Sequence, residues 1–474
     1  MYTAGILMLA LWFEPDTVPA QPQFPQDGHA IASLNLAISS AMCGSIGMLS
    51  QTYQPAKFLS ENQWATTVPL DKLVTTIAGS VSNYCSSSNY PLLNEDNSLS
   101  LLETVAIHLR PNIAASAIAR ALLLVKLVML AIVCAALIRL GASVALAGAC
   151  TTVSVAILHA LIGEAMAYSI HSFFFVLVLL NVVAYSAVLK LAIGGSRWSV
   201  AAAVAAGFVS AFSVNMRASY LPIYLLFALA YTAAVLVKLS RRTALVGFAG
   251  VIVGYLLFQY SFIIRRIPQT EYNHTFHVIS HPLVLSLALP PNDLAEREGI
   301  KWLDEDGIVL AHRVDQNAKY LGPGYDKALL TYYASLWRRY PGEMLAIYRD
   351  KLRTAGADLI QHRYRLVDPW IRRPLVLLRW VDDGRYLFLV FLISAFIGFR
   401  VYVRDDVQFG FWIALLFVAG AMLFLESALI LPYYYLVYHN ALLVISLFWC
   451  LIAMQVLVNL LTYVGRRAWA MSVR

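Results

Sequence analysis

The chain has 474 residues, 60% of them hydrophobic and 13% charged, with a net charge of +8. A soluble domain carries about 25% charged residues, and spans need apolar runs of about 20 residues, which this chain repeats, so a soluble enzyme and a single-span receptor are excluded. The excess of positive charge fits cytoplasmic anchoring and contact with anionic headgroups; with no basic, aromatic-interleaved soluble segment, nucleic acid is not an expected partner.

In chain order, residues 1–13 are apolar but short, and are expected to be a first, short span. Residues 14–112 form an expected extracytoplasmic loop with amphipathic helices. It opens on the Pro-rich EPDTVPAQPQFPQ, continues through Asp27-Gly28-His29 into an amphipathic run, and is Ser/Asn-rich from 51. A six-span block follows over 113–264, with spans at 113–138, 142–162, 172–192, 198–216, 218–237 and 243–264. Residues 265–385 are a large extracytoplasmic loop, and spans at 386–403, 409–431 and 440–464 make a three-span block over 386–464. Residues 465–474 are a cytoplasmic tail. The expected class is an all-α polytopic membrane protein of about ten transmembrane helices with a large extracytoplasmic loop containing amphipathic surface helices.

The short loops set the orientation. Arg139, Lys190 with Arg197, Lys238 with Arg241 and Arg242, Arg400 with Arg404, and Arg466 with Arg467 fall on one face when spans alternate. That face is cytoplasmic by the positive-inside rule, so the large loops face out and the C-terminus faces in. In the large loop Pro341 opens an amphipathic helix with Met344, Leu345, Tyr348, Leu352, Ala355 and Leu359 on one face and Arg349, Lys351 and Arg353 elsewhere.

Cys134, Cys150 and Cys450 fall in apolar spans, while Cys43 and Cys85 lie in the outer loop as either a disulfide or two thiols. No zinc-type Cys/His spacing occurs, and no metal site is expected.

Several residues have chemistry suited to a reaction at the outer surface. Asp27 is either a general base for a hydroxyl or a helix N-cap ahead of Ala30-Ile31. Glu164 lies in the second outer loop between His159 and His171, as a second carboxylate or an interfacial one. Arg217, in NMRASYLP, can hold a phosphate bidentately or snorkel to the interface. His274, His277 and His281 are spaced for one helical face, but Pro282 is expected to end any helix there, so phosphate donation suits one of them better than a metal. After Trp302 come Asp304, Glu305 and Asp306, then His312-Arg313 and Lys319-Tyr320, read as a solvated face or a sugar-recognition edge. Lys126 and Glu426 lie nearer span interiors, where ions are costly and often functional.

The layout resembles the integral-membrane glycosyltransferases of the GT-C type, which use polyprenyl-phosphate-linked sugars. The likeness rests on an outer loop carrying Asp27 after a first span, a second outer loop carrying Glu164, the RASYLP at Arg217, and RRYPGEMLAIYRDKL at 338–352. Glu14 and Asp16 are the other acids near Asp27, which is followed by Gly28-His29 rather than by a second acid. The resemblance implies inverting transfer of a sugar from a polyprenyl-phosphate lipid to a lipid or glycan acceptor, without metal or other cofactor. It implies Asp27 and Glu164 as catalytic residues, with Arg217, His29, His281, His312, Arg313, Lys319 and Tyr320 toward phosphate or substrate, in a bacterial inner membrane among phospholipids. The alternatives are an O-antigen-type polysaccharide ligase or polymerase, faintly suggested by Tyr438-His439-Asn440, and a transporter or flippase.

Overall fold

The computed structural model describes residues 33–34, 37–38, 40–41, 68–72, 97–110, 112–140, 170–216, 221–263, 280–320, 324–366 and 407–429. The described residues are helical and contain no strand; one isolated antiparallel bridge joins Pro69 to Ala114. The helices are α1 (Asn97–Leu109), α2 (Ala115–Leu140), α3 (Ile170–Ile193), α4 (Ser199–Met216), α5 (Leu221–Lys238) and α6 (Arg241–Phe258). A π-helical turn, Gln259–Ile263, extends α6. Then follow α7 (Ser280–Leu285), a 3-10 turn (Ser286–Ala288), α8 (Asp293–Arg297), α9 (Asp304–His312), α10 (Tyr325–Arg339), α11 (Pro341–Leu366) and α12 (Val407–Leu429).

Five helices are long and apolar enough to cross a membrane: Ser116–Leu140, Val176–Ile193, Ser199–Met216, Leu221–Lys238 and Arg241–Phe262. They agree in place with five of the expected spans, and α12 coincides with the one at 409–431. The expected spans at 1–13, 142–162, 386–403 and 440–464 lie outside the described residues, as do Cys43, Cys85, Cys150 and Cys450. The protein is therefore an all-helical, integral membrane protein in its described part.

Small residues let the bundle close. α4 and α6 are the most intimately packed pair, and two glycines explain the approach. A Cβ on Gly207 would run into the Val251 carbonyl, and one on Gly254 into the Val204 carbonyl. Without a hydrophobic drive between helices in lipid, such backbone contact is a main source of association. α3 sits centrally, against α2, α4, α5 and α12, and its buried face carries Val176, Leu179, Val182, Tyr185 and Leu189.

Lys190 Nζ donates to the Arg139 carbonyl at 2.9 Å, so the C-termini of α2 and α3 lie at one end of the bundle. That places the Arg139 and Lys190 charges together, as the loop charges imply. At the opposite end, α1 lies across α2 and α4, and Ser98 Oγ donates to the Phe212 carbonyl at 2.6 Å.

Between α6 and α12, helices α7 to α11 form a module with its own core of Val284, Leu310, Tyr325, Leu329, Leu336 and Met344 among others. α11 begins at Pro341 as expected and also packs on α12. Two expectations are corrected here. Pro282 does not end a helix; it is the third residue of α7, inside the first turn, where its missing N–H has no partner to lose. The apolar face of α11 keeps Met344 and Tyr348 of the expected stripe but not Leu345, and takes in Ile347 and Lys351. Leu345 is 61% exposed, whereas Met344, Ile347 and Lys351 are buried. Positions 344, 347 and 351 follow the helical repeat as well as the expected stripe does, and the core of α7 and α10 selects the first.

Candidate functional site

Two places bury charge, one in the bundle and one in the module. In the bundle, Lys126 is eleven residues into α2 and fully buried, with its ammonium 4.4 Å from the centre of the Phe173 ring at the start of α3. It is a mid-helix residue, not one displaced toward a span end. On α1, Leu99, Glu103 and Ile107 are spaced i, i+4, i+8 and all buried, so a carboxylate occupies a core position. Ser33 Oγ donates to Glu103 Oε2 at 2.8 Å. Leu99, Ile107, Ile113, Leu122, Phe173 and Met216 form one apolar cluster around this corner. Glu103 thus shares α1 with Leu99 and Ile107 of this cluster, while Lys126 on α2 reaches its Phe173 ring. The sequence reading passed over Glu103, although the 3.6-residue period of 97–109 places it on the buried stripe.

Deeper in the bundle a polar network links α3 and α4. Asn181 Nδ2 donates to Ser213 Oγ at 2.8 Å, Ser210 Oγ donates to Asn181 Oδ1 at 2.9 Å, and the Tyr185 and Ser210 hydroxyls lie 3.1 Å apart. All four side chains are buried, and their mutual bonds compensate groups that lipid cannot solvate.

In the module, His281 is buried and its Nδ1 is 2.6 Å from the Tyr325 hydroxyl. Tyr320 leans edge-on to both, with ring centres 6.1 Å from His281 and 5.6 Å from Tyr325. Gly307 of α9 closes the group: a Cβ there would collide with the Tyr325 hydroxyl and the His281 ring. The acidic residues Asp304, Glu305 and Asp306 form the first turn of α9, where the helix dipole favours them.

The other expected contacts of this region are engaged within the module. His312 Nε2 is 2.9 Å from the Ala318 carbonyl. Arg313 donates to the Glu298 carbonyl at 2.7 Å and to the Tyr332 hydroxyl at 3.3 Å. Tyr332 in turn donates to Glu298 Oε2 at 3.1 Å, and burial together with the Glu298 charge pushes its phenol up to about 12. Lys319 is exposed beside Tyr320. The structure therefore brings His281 and Tyr320 together, and sets His312 and Arg313 to bracing. Asp27, His29, Glu164 and Arg217 lie outside the described residues, as do His274 and His277.

The module also buries Lys351. Its Nζ donates to Ser286 Oγ at 2.8 Å and lies 4.9 Å from the centre of the Tyr348 ring. Burial lowers its pKa to about 7. The Tyr348 hydroxyl meets that of Tyr333, and burial with this contact raises its pKa. Among the described residues no group of His, Cys, Asp and Glu side chains is arranged to hold a metal.

No family model, no curated protein and no solved structure matches the chain.

Proposed function

We propose that the protein is an integral-membrane glycosyltransferase that moves a sugar, with inversion, from a polyprenyl-phosphate donor to a lipid or glycan acceptor at the extracytoplasmic face. The observation that supports this reading is Lys126, an ammonium fully buried inside a span-length helix. Charges inside a membrane are costly, so they mark functional sites by default. A cation in a low-dielectric setting is what a departing lipid phosphate needs, because the negative charge grows there in the transition state. Phe173, on which Lys126 packs, lies at the start of α3, the end away from the Lys190 charge, and this supports reading the site as outward-facing.

In the reaction, the acceptor hydroxyl loses its proton to a carboxylate as its oxygen bonds to the anomeric carbon. The bond from that carbon to the phosphate oxygen breaks, and the phosphate keeps the electron pair. Asp27 and Glu164 are the carboxylates assigned to this step, with Arg217 and Lys126 on the phosphate side. His281 and Tyr320, adjacent in the module, are assigned to the acceptor.

The experiment uses the full chain in proteoliposomes with a panel of radiolabelled polyprenyl-phosphate sugars and a membrane-glycan acceptor extract. Transfer is expected with one of the donors. Lys126→Met should lower it by about 10²-fold or more, the scale for removing one transition-state donor. Unaltered transfer in Lys126→Met would remove the supporting observation. Movement of label across the bilayer without a new glycosidic bond would replace the reading with transport.

A further inference from the structure

We propose that the exposed face of α2 docks an anionic phospholipid, with its phosphate held by Arg120 and an acyl chain laid along Leu124, Val128 and Ile132. This inference stands independently of the sugar-transfer reading. α2 packs on α3 and α1, and positions 120, 124, 128 and 132 recur every four residues along the face it leaves uncovered. Arg120 is exposed there, and Leu124, Val128 and Ile132 are 51%, 46% and 51% exposed. Arg139 is exposed at the other end of the helix. The helix between positions 120 and 139 is about 28 Å long at 1.5 Å per residue, close to the ~30 Å hydrocarbon core of a bilayer. The two guanidinium groups therefore mark the two edges of the hydrocarbon, and the apolar side chains between them face lipid.

Arg120 stands at the end where cations are scarce. Lys190, Lys238, Arg241 and Arg242 all join Arg139 at the opposite end when spans alternate. Among the described residues of the five span-length helices, Arg120 is the one exposed Lys or Arg away from that end. Among the described residues, too, no side-chain hydrogen bond or ion pair engages it. A guanidinium at the hydrocarbon edge is costly without a counter-charge, and the membrane supplies phosphate at this depth. Arginine fits that group in particular, because two of its N–H donors can address two phosphate oxygens at once. Tyr260, 61% exposed at the far end of α6, shows the neutral alternative, an aromatic anchor that suits any headgroup.

Charge and length choose the lipid. In phosphatidylcholine the choline ammonium offsets the phosphate, whereas the phosphate of phosphatidylglycerol keeps its charge for Arg120. The stripe from Arg120 to Ile132 runs about 18 Å along the helix, enough to carry one acyl chain from the headgroup to the bilayer midplane at ~15 Å.

The test places the purified full chain in nanodiscs containing a phospholipid with a diazirine in its acyl chain, either phosphatidylglycerol or phosphatidylcholine. After illumination, peptide mass spectrometry maps the adducts. Phosphatidylglycerol is expected to label 124–132 roughly tenfold more than phosphatidylcholine, the scale of one hydrogen bond to a charged group. Arg120→Leu should abolish that excess, and Arg139→Leu should leave it in place. Equal labelling by the two lipids overturns the site, and so does an excess that survives Arg120→Leu or is lost equally in Arg139→Leu. If Arg120→Leu does not fold, Arg120→Gln carries the same comparison. Displacement of the excess by polyprenyl phosphate at a lower mole fraction than unlabelled phosphatidylglycerol would assign the face to an isoprenoid lipid and overturn the phospholipid assignment.

Discussion

Among the described residues the bundle buries Lys126 and the module buries Lys351, and the two regions handle the charge differently. Lys126 is buried in a span-length helix, against the Phe173 ring. Lys351 sits in a small helical core whose outer surface is laced with charge: Glu298 accepts from Arg339 at 3.3 Å, and Arg297 meets Glu343 at 2.9 Å. Water can reach the module's surface and solvate such pairs, so charge there is inexpensive and each pair contributes little. Inside the bundle every polar group has to find a partner within the protein, which is why Asn181, Ser210, Ser213 and Tyr185 bond to one another. The same residue type therefore signals different things in the two regions: a deep commitment in the bundle, a local one in the module.

The contrast breaks most sharply at the glycine seam. Gly254→Leu puts a side chain where the Val204 carbonyl lies, so α4 and α6 must separate. The expected loss is more than about 3 kcal/mol, the upper range for overpacking, and is read as aggregation or loss of a monodisperse peak in detergent. A wild-type elution profile and melting temperature would show that the two helices tolerate separation.

Lys351→Met acts in the opposite direction. Removing a buried ionisable group is expected to stabilise the module by about 1–4 kcal/mol near neutral pH. The sign of its pH dependence follows from the lowered pKa. Between about 7 and 10.5 the unfolded chain binds the proton and the folded one does not, so wild-type stability rises with pH across that window and is flat below it. Thermal melts from pH 6 to 10 should show this rise in the wild type and a shallower one in Lys351→Met. Parallel curves would mean the amine is not the titrating group.

Asn181→Leu is a smaller change. It leaves the Ser210 and Ser213 hydroxyls without their amide partner, at an expected cost of about 1–2 kcal/mol, and urea or heat unfolding in micelles measures it. The smallest effect belongs to the module surface. Arg297 and Glu343 are 50% and 44% exposed, so Arg297→Ala should have the smallest effect of these changes, and that effect should vanish in high salt. A loss comparable to that of Asn181→Leu would erase the distinction between the two regions.

Much of this architecture was readable from residue order. Apolar runs located α2 to α6 and α12 to within a few residues, because a span has a required length and no choice but to be helical. Pro341 marked the start of α11 through its fixed φ and missing donor. Which face of α11 turns inward was not readable, since stripes through Leu345 and through Lys351 both keep the 3.6-residue period. Of the buried charges, Lys126 stood out as an ion in an apolar run, whereas Glu103 showed only through the helical period it shares with Leu99 and Ile107, and its burial was decided when α1 docked on α2 and α4.

By itself, then, the amino-acid order determined that the chain is an all-helical membrane protein with a charged module between two apolar blocks, because the cost of exposing peptide groups to lipid acts locally along the chain. Only the tertiary structure decided which charges are buried and which residues meet. Ser286 and Lys351, His281 and Tyr325, and Asn181 and Ser210 are each brought together from 29 to 65 positions apart, by packing that no local pattern encodes.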